Sequence, residues 1–202
     1  MMITTICIVI SGLLIYIFIL RPAHLRWGAT KEEVRMLMPG DDIVQKTDFI
    51  ATRAISIHAS QAEIWKWIIQ IGSGRAGWYS IDWIDNGGKP SSASLIQEYQ
   101  EIYAGQFIPF TPDQKNGMWV KEFIENDYIL WTDKKDKATW TWKLVPDGIE
   151  STRLLTRLRT RYDWKSLWIL YYLIYDFGDI IMMKKCLKGI KIRAEKIRQP
   201  GR

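Results

Sequence analysis

Residues 118–162 read MWVKEFIENDYILWTDKKDKATWTWKLVPDGIESTRLLTRLRTRY and decide the fold. Four runs rich in aromatic and β-branched residues follow one another, and turn-forming residues separate them at 125–127, 134–136 and 146–148. Consecutive strands without a helix between them predict an antiparallel meander. Because helical patterns flank this block on both sides, the sequence predicts an α+β protein.

The last two strands predict which face of the sheet is buried. Trp140, Trp142 and Leu144 alternate with Thr141 and Lys143, a pattern typical of a strand with one buried and one solvated face. Arginines recur along the final strand, and we expect them on the solvated outer face. They are Arg153, Arg157, Arg159 and Arg161.

Upstream of the meander, the sequence predicts a strand over residues 52–59 followed by a helix. Ser60 and Glu63 form a capping box, and apolar residues then recur at helical spacing up to Gly72. Further elements are expected as follows: a short capped helix over 31–38, a long aromatic loop over 72–92, a short helix over 92–100 and a strand near 106–110.

Beyond Trp164 the chain is apolar to Met183 and then basic and amphipathic to Arg198. This pattern predicts a long C-terminal helix or a kinked pair of helices. The very apolar stretch 164–175 fits either the core or a membrane interface. Asp176 and Asp179 lie one helical turn apart, and we expect them to end a helix or to face solvent.

The first twenty residues, MMITTICIVISGLLIYIFIL, carry no charged side chain. A helix of this length spans roughly 30 Å, the thickness of a bilayer's hydrocarbon core. A cleaved signal peptide is the alternative, but it would need a basic n-region and a cleavage site. We therefore expect a transmembrane anchor over 1–21, a juxtamembrane segment over 22–50 and a folded domain over 51–199. The basic residues that follow the run predict a cytoplasmic domain.

The net charge of +6 is concentrated at one end of the chain. Residues 184–202 carry +7, and the other 183 residues sum to −1. In a tethered protein this excess favours contact with an anionic leaflet over binding of nucleic acid. A simple solvated helix face is compatible with the same pattern.

Motifs for cofactors and metals are weak or absent. Residues 72–77 match GxGxxG, but a capped helix precedes them, whereas a dinucleotide site needs a strand there. Cys7 and Cys186 lie far apart and form no ligand cluster, which fits a reducing compartment. We expect no cofactor and no metal site.

Eleven tryptophans are a high number for 202 residues, and they concentrate in the 72–92 loop and the meander. Large flat side chains suit either a packed core or the lining of a cavity for an apolar or aromatic ligand. Both interpretations remain open at this point.

The segments TRAISIHASQAEIWKWIIQIGSGRAGWYSIDWI (52–84) and DFGDIIMMKKCLKGIKIRAE (176–195) resemble the START-like helix-grip superfamily, also called SRPBCC. That superfamily includes lipid-transfer domains and polyketide cyclases. GRAGWYS, residues 74–80, is the most specific match, and it looks like a membrane-anchored bacterial subgroup. The resemblance implies a curved antiparallel sheet wrapped around a long C-terminal helix, with a hydrophobic cavity between them.

Three functional hypotheses follow. The first is membrane-tethered binding of a small hydrophobic ligand, such as a lipid, an isoprenoid or an aromatic molecule. The second is an enzyme of polyketide cyclase/dehydrase type, in which Asp82, His58 or Tyr79 transfers protons. The third is a membrane protein-interaction module. For the first, the expected ligand-binding residues are Arg75, Trp78, Tyr79, Trp83, Trp131, Trp140 and Trp142, with Arg75 meeting a polar head group.

Overall fold

The computed structural model describes residues 2–162 and 168–197. Its helices are α1 (Met2–Ile15), a π-helical segment (Tyr16–Leu20), α2 (Arg21–Leu25), α3 (Lys31–Arg35), α4 (Gln61–Ile69), α5 (Asp82–Asp85), a 3-10 turn (Gln97–Tyr99) and α6 (Trp168–Ile197). Its strands are β1 (Phe49–Ile57), β2 (Phe107–Pro109), β3 (Gly117–Ile124), β4 (Tyr128–Thr132), β5 (Ala138–Pro146) and β6 (Thr152–Thr160).

The strands form one antiparallel sheet in the order β1-β6-β5-β4-β3-β2. Strands β3 to β6 are the predicted meander. Strand β1, which precedes them in the sequence, pairs with β6 along its whole length. The register of β3 shifts between Val120 and Glu122, and such a bulge bends a strand. The prediction of an α+β protein with an antiparallel sheet is confirmed.

Helix α6 packs against the inner face of the sheet and against α4. One stripe of α6, comprising Met183, Leu187, Ile190 and Ala194, is buried in the main core. Both predicted capped helices are present. A capping box of Ser60 with Glu63 starts α4, and one of Thr30 with Glu33 starts α3. A sheet closed on one side by a long C-terminal helix is consistent with the helix-grip fold.

The outer face of the sheet is covered by residues 27–46, which we call the N-terminal strap. Arg157 is 4% exposed. Its guanidinium pairs with Asp41 at 2.6 Å and donates to the main-chain carbonyl oxygens of Met36, Glu33 and Val34 at 2.8 to 3.0 Å. These bonds satisfy a buried cation, whose burial without partners would be costly.

The neighbouring residues of the outer face bind the strap in the same way. Arg153 binds the Glu33 carboxylate at 2.7 and 2.9 Å, and Arg159 donates to the Val44 carbonyl at 2.8 Å. The Thr141 hydroxyl donates to the Pro39 carbonyl at 2.6 Å.

The prediction that this face is solvated is therefore wrong for Thr141, Arg153, Arg157 and Arg159. The alternation correctly placed their side chains outward, but it carried no information about the strap that covers them. Arg161, beyond the end of β6, is exposed as predicted.

The apolar N-terminal run forms three helical segments in succession. Helix α1 has 14 residues, roughly 21 Å of helix, and the change to π-helical geometry at Tyr16 ends it. In the part of the chain that the structure describes, no helix is both long and apolar enough to cross a bilayer. The prediction of a transmembrane helix over 1–21 is not confirmed, because the run is divided into shorter helices.

The C-terminal prediction is confirmed as one long helix from Trp168 to Ile197. The stretch 164–175, for which core and interface were both open, falls on residues whose side chains lie outside the described part of the chain. Asp179 neither ends the helix nor faces solvent. It is 5% exposed, so that prediction is wrong for Asp179.

Gly189 allows α6 to approach the aromatic loop. A methyl group there would overlap the main-chain oxygen and Cβ of Tyr79. We expect Gly189→Ala to lower the free energy of unfolding by about 1–3 kcal/mol, the usual cost of overpacking.

Gly178, on the same helix, is the matched control, because no described atom lies within 4 Å of the place that a Cβ would occupy there. Gly178→Ala should be neutral or stabilise by up to about 1 kcal/mol. Chemical denaturation of both variants tests this, and equal effects would contradict the close approach at Gly189.

Arg157→Ala should release the strap. The substitution removes the donor to three carbonyl oxygens and the ion-pair partner that lies nearest to the Asp41 carboxylate, which keeps the Met38 amide and Arg159. Removing one partner of a buried pair typically costs about 3–5 kcal/mol. Hydrogen exchange should accelerate across residues 33–44. Arg161→Ala removes an exposed arginine just beyond the end of β6. It should leave hydrogen exchange in the strap unchanged.

Candidate functional site

An apolar cavity of about 250 Å³ lies between the inner face of the sheet, the aromatic loop and α6. The walls come from four parts of the chain that are distant in sequence. The lining residues are Trp78, Ser80, Ile84, Asp85, Phe110, Thr111, Asn116, Trp140, Asp179, Met182, Met183 and Cys186.

Aromatic rings form one wall of the cavity. Trp78 and Trp140 stack with ring centroids 5.6 Å apart and an interplanar angle of 4°. Phe110 meets both rings edge-on, at 5.3 Å from Trp78 and 5.6 Å from Trp140. Trp131 and Trp142 pack behind Trp140 and are fully buried. Packed rings of this kind fix one another's orientation, so this wall is preorganised.

The loop that carries Trp78 is tied at its base. Gly72 and Gly77 exchange two main-chain hydrogen bonds, of 3.2 and 3.0 Å. Gly77 has a positive φ of 81°, and a Cβ there would overlap Ser91. The Tyr79 amide then donates to the Ser91 hydroxyl at 3.0 Å. The GxGxxG pattern thus serves a tight turn between α4 and the aromatic loop.

Asp85 places a carboxyl group in the cavity wall. The residue is 5% exposed, and its Oδ1 has no hydrogen-bond partner within the described residues. Its Oδ2 accepts weakly from the Ile81 amide, at 3.3 Å. Burial raises the pKa of Asp85 to about 6, and the nearby Asp82 adds to the rise. Near neutral pH the group can therefore exchange a proton or accept a hydrogen bond.

A buried ion pair closes the α6 side of the cavity. Arg53 on β1 donates to the Asp179 carboxylate at 2.7 Å, and the two side chains are 1% and 2% exposed. The Arg53 Nε also donates to the His24 carbonyl oxygen at 3.2 Å. The pair joins the sheet, α6 and the end of α2.

Cys186 completes the α6 wall. Its side chain is 1% exposed, and burial raises the pKa of its thiol. The group therefore stays protonated and behaves as a small apolar residue.

The predicted ligand-binding residues are dispersed rather than gathered around the cavity. Trp78 and Trp140 line it, whereas Trp131 and Trp142 form the layer behind. Trp83 is 83% exposed although it belongs to the same loop as Trp78.

Tyr79 and Arg75 point elsewhere. The Tyr79 hydroxyl donates to the Trp67 carbonyl and accepts from the Gln70 amide, and burial raises its pKa. Arg75 donates to the Ile69 carbonyl at 2.8 Å and stacks on Tyr99, at 4.6 Å from the ring centroid. Neither residue lines the cavity.

The candidates for proton transfer do not converge among the described residues. The exposed His58 ring contacts the Ser151 hydroxyl at 2.8 Å, and Asp82 accepts from Ser91 through a very short hydrogen bond. No hydrogen bond joins His58, Asp82 or Tyr79 to one another in the described chain.

Sequence reasoning missed Asp85, Phe110 and Cys186 as cavity residues. The WYSIDWID segment contains two aspartates, Asp82 and Asp85. No periodicity in that loop indicates which of the two faces the cavity. Within the described chain, no group of three His, Cys, Asp or Glu side chains is placed to hold a metal ion.

A wider groove of about 640 Å³ runs along α4 on the surface. Its walls combine apolar side chains with polar ones. The apolar residues include Trp65, Ile69 and Phe123, and the polar residues include Gln97, Gln100 and Glu101. We favour the smaller cavity as the site, because its aromatic walls and buried carboxyl group are typical of ligand pockets.

No family model and no curated protein matches this sequence. Among solved structures, the chain is similar to the Polyketide_cyc-like protein Cgl2372 from Corynebacterium glutamicum, at 15% identity over 80% of this chain and 96% of that one, with a TM-score of 0.49.

Two further similar structures are a START superfamily protein from Mycobacterium smegmatis and the self-sacrificing resistance protein CalC from Micromonospora echinospora. Both are 12% identical; they match 73% and 75% of this chain and 98% and 97% of their own, with TM-scores of 0.45 and 0.46. Because these TM-scores are below 0.5, we base the helix-grip assignment on the strand order and helix packing of this chain.

Proposed function

We propose that the protein binds a small hydrophobic molecule in the cavity between the sheet and α6. The observation that carries this proposal is the aromatic wall of Trp78, Trp140 and Phe110 facing the methionines and the cysteine of α6. Such a space, apolar on most sides with a few polar groups, is the usual form of a ligand pocket.

The size of the cavity limits the ligand. At about 250 Å³ it is larger than the cavity of about 150 Å³ that holds benzene, and smaller than typical drug-sized pockets of roughly 300–1,000 Å³. A ligand of one or two rings fits this range. Among the candidates of lipid, isoprenoid and aromatic molecule, we therefore favour the aromatic one.

Filling the cavity should abolish binding. Cys186→Leu adds methyl groups to the α6 wall, and we expect at least a tenfold rise in the Kd of a bicyclic aromatic probe such as 2-naphthol. Quenching of tryptophan fluorescence measures the binding, because Trp78 and Trp140 line the space.

The matched control fills the surface groove instead. Ala62→Leu adds a similar volume beside Trp65, and it should leave the Kd unchanged. If Ala62→Leu weakens binding and Cys186→Leu does not, the groove is the site and the cavity proposal is wrong.

We further propose that the N-terminal helical segments associate with a membrane. Several large apolar side chains in these segments are exposed, and their contact with water is unfavourable. They are Ile10, Leu14, Ile15, Ile17, Phe18, Ile19 and Leu20, with exposures from 42 to 72%. A contiguous apolar surface of this kind supports contact with a bilayer. The positive charges that follow it favour a cytoplasmic position for the domain.

A basic groove lies directly after this apolar segment. It has a volume of about 380 Å³ and is lined by His24, Trp27, Ile181, Lys184, Lys185 and Lys188. None of the three lysines forms an ion pair within the described residues, and Lys184 lies 5.2 Å from the Trp27 ring centroid. Three lysines that share one groove and have no carboxylate partner among the described residues support contact with anionic lipid head groups.

Replacing Lys184, Lys185 and Lys188 together by glutamine should weaken binding to vesicles that contain 30% phosphatidylserine. At about 1 kcal/mol for each lysine, the loss is on the order of 100-fold. Co-flotation of the full chain measures it. The control replaces the three exposed lysines of the β4–β5 turn, Lys134, Lys135 and Lys137, and should retain binding.

Neutral phosphatidylcholine vesicles separate the two membrane contacts. The wild type and both variants should bind them equally, through the apolar segment. Absence of binding to neutral vesicles would contradict membrane association by residues 10–20, whereas equal loss in both variants would contradict a specific basic groove.

A further inference from the structure

Two residues that line the cavity each have one buried polar atom without a partner within the described chain. The two atoms are the Oδ1 of Asp85, an acceptor, and the Nε1–H of Trp78, a donor. Both residues line the same cavity, and they are 5% and 7% exposed. The two elements that carry them, α5 and the loop at residue 78, are held together through Ser91.

Leaving such atoms unpaired is unfavourable. A buried donor or acceptor without a partner typically costs about 1–3 kcal/mol, and more when the group is charged. An unneeded aspartate at position 85 would therefore weaken the fold. The cost is recovered when a bound molecule supplies both missing hydrogen bonds.

Other charged groups around Asp85 do not supply these bonds. Asp82, on the same helix, is also a carboxylate and accepts from Ser91. From α6, the cavity is faced by the buried Cys186 thiol and by Asp179, and Arg53 is bonded to the Asp179 carboxylate. The Arg53 cation is thus engaged with a different carboxylate.

We propose that the ligand is an aromatic molecule that carries both a hydrogen-bond donor and an acceptor, as a phenol-type hydroxyl does. The hydroxyl donates to Asp85 Oδ1, and a ligand oxygen accepts from Trp78 Nε1, while the ring lies against Trp140 and Phe110. This inference rests on the proposed function of the cavity, and it adds the chemical class of the ligand.

The direct test compares two bicyclic probes of nearly equal shape, 2-naphthol and 2-methylnaphthalene, on the full wild-type chain. The structure predicts binding of 2-naphthol at least tenfold tighter, because a hydrogen bond to a buried charged group has about that effect. Equal binding overturns the inference and leaves the cavity function standing. Binding of neither probe overturns both.

Two variants test whether Asp85 Oδ1 and Trp78 Nε1 cause the preference for 2-naphthol. Asp85→Asn keeps the shape of the side chain but removes its charge, and Trp78→Phe removes the donor. Each should reduce the preference for 2-naphthol over 2-methylnaphthalene, taken as the ratio of their two Kd values in the same variant, about tenfold. A preference that survives both substitutions overturns the inference.

The matched control is Trp67→Phe. The Trp67 Nε1 is also buried without a partner within the described residues, but Trp67 lies on α4 and does not line the cavity. The preference for 2-naphthol should persist in this variant. If Trp67→Phe abolishes it as fully as Trp78→Phe does, the donor in the cavity wall is not responsible.

The pH dependence of 2-naphthol binding gives a further readout on the wild-type chain. Ionised Asp85 is the stronger acceptor, so 2-naphthol should bind more weakly at pH 5 than at pH 7.5, with the change centred near the Asp85 pKa of about 6. Asp85→Asn should remove this change. A pH dependence that persists in Asp85→Asn contradicts the role of Asp85.

Discussion

The buried ion pair between Arg53 and Asp179 is the contact on which the rest of the structure depends. It joins the edge strand β1 to α6 at 2.7 Å, with both side chains almost completely buried. Removing either partner would leave an uncompensated buried charge, at a cost of typically 3–5 kcal/mol. Because Asp179 also lines the cavity, the pair fixes the distance between sheet and helix that gives the cavity its width. The Arg53 bond to His24 connects the same point to the N-terminal segments.

The two faces of the sheet are covered by different parts of the chain. The inner face packs apolar and aromatic side chains against α6 and leaves a small cavity, whereas the outer face binds a strap through arginines. The strap follows the apolar helices directly in the chain, so the arginines fix the sheet relative to those helices. If residues 10–20 lie in a bilayer, this arrangement holds the cavity and the basic groove close to the lipid surface.

The fold was largely predictable, because strand alternation and two capping boxes are local signals. The meander, α4, α3 and the C-terminal helix follow from them. The site was less predictable, since its contacts are distant in sequence. Asp179 and Arg53 are 126 positions apart, so nothing near Asp179 indicated a buried partner. Trp78 and Trp83 belong to one loop, yet they are 7% and 83% exposed. A loop without periodicity does not reveal which ring faces inward.

The proposed function places a small aromatic molecule in the space between the sheet and α6. Native mass spectrometry of the full chain, extracted from its expression host in mild detergent, tests this most directly. We expect a bound species small enough for about 250 Å³, released on unfolding and identified as a hydroxylated one- or two-ring aromatic. Cys186→Leu should lose this species, and Ala62→Leu should retain it. A bound long-chain lipid that persists in Cys186→Leu would contradict binding of a small aromatic molecule in this cavity.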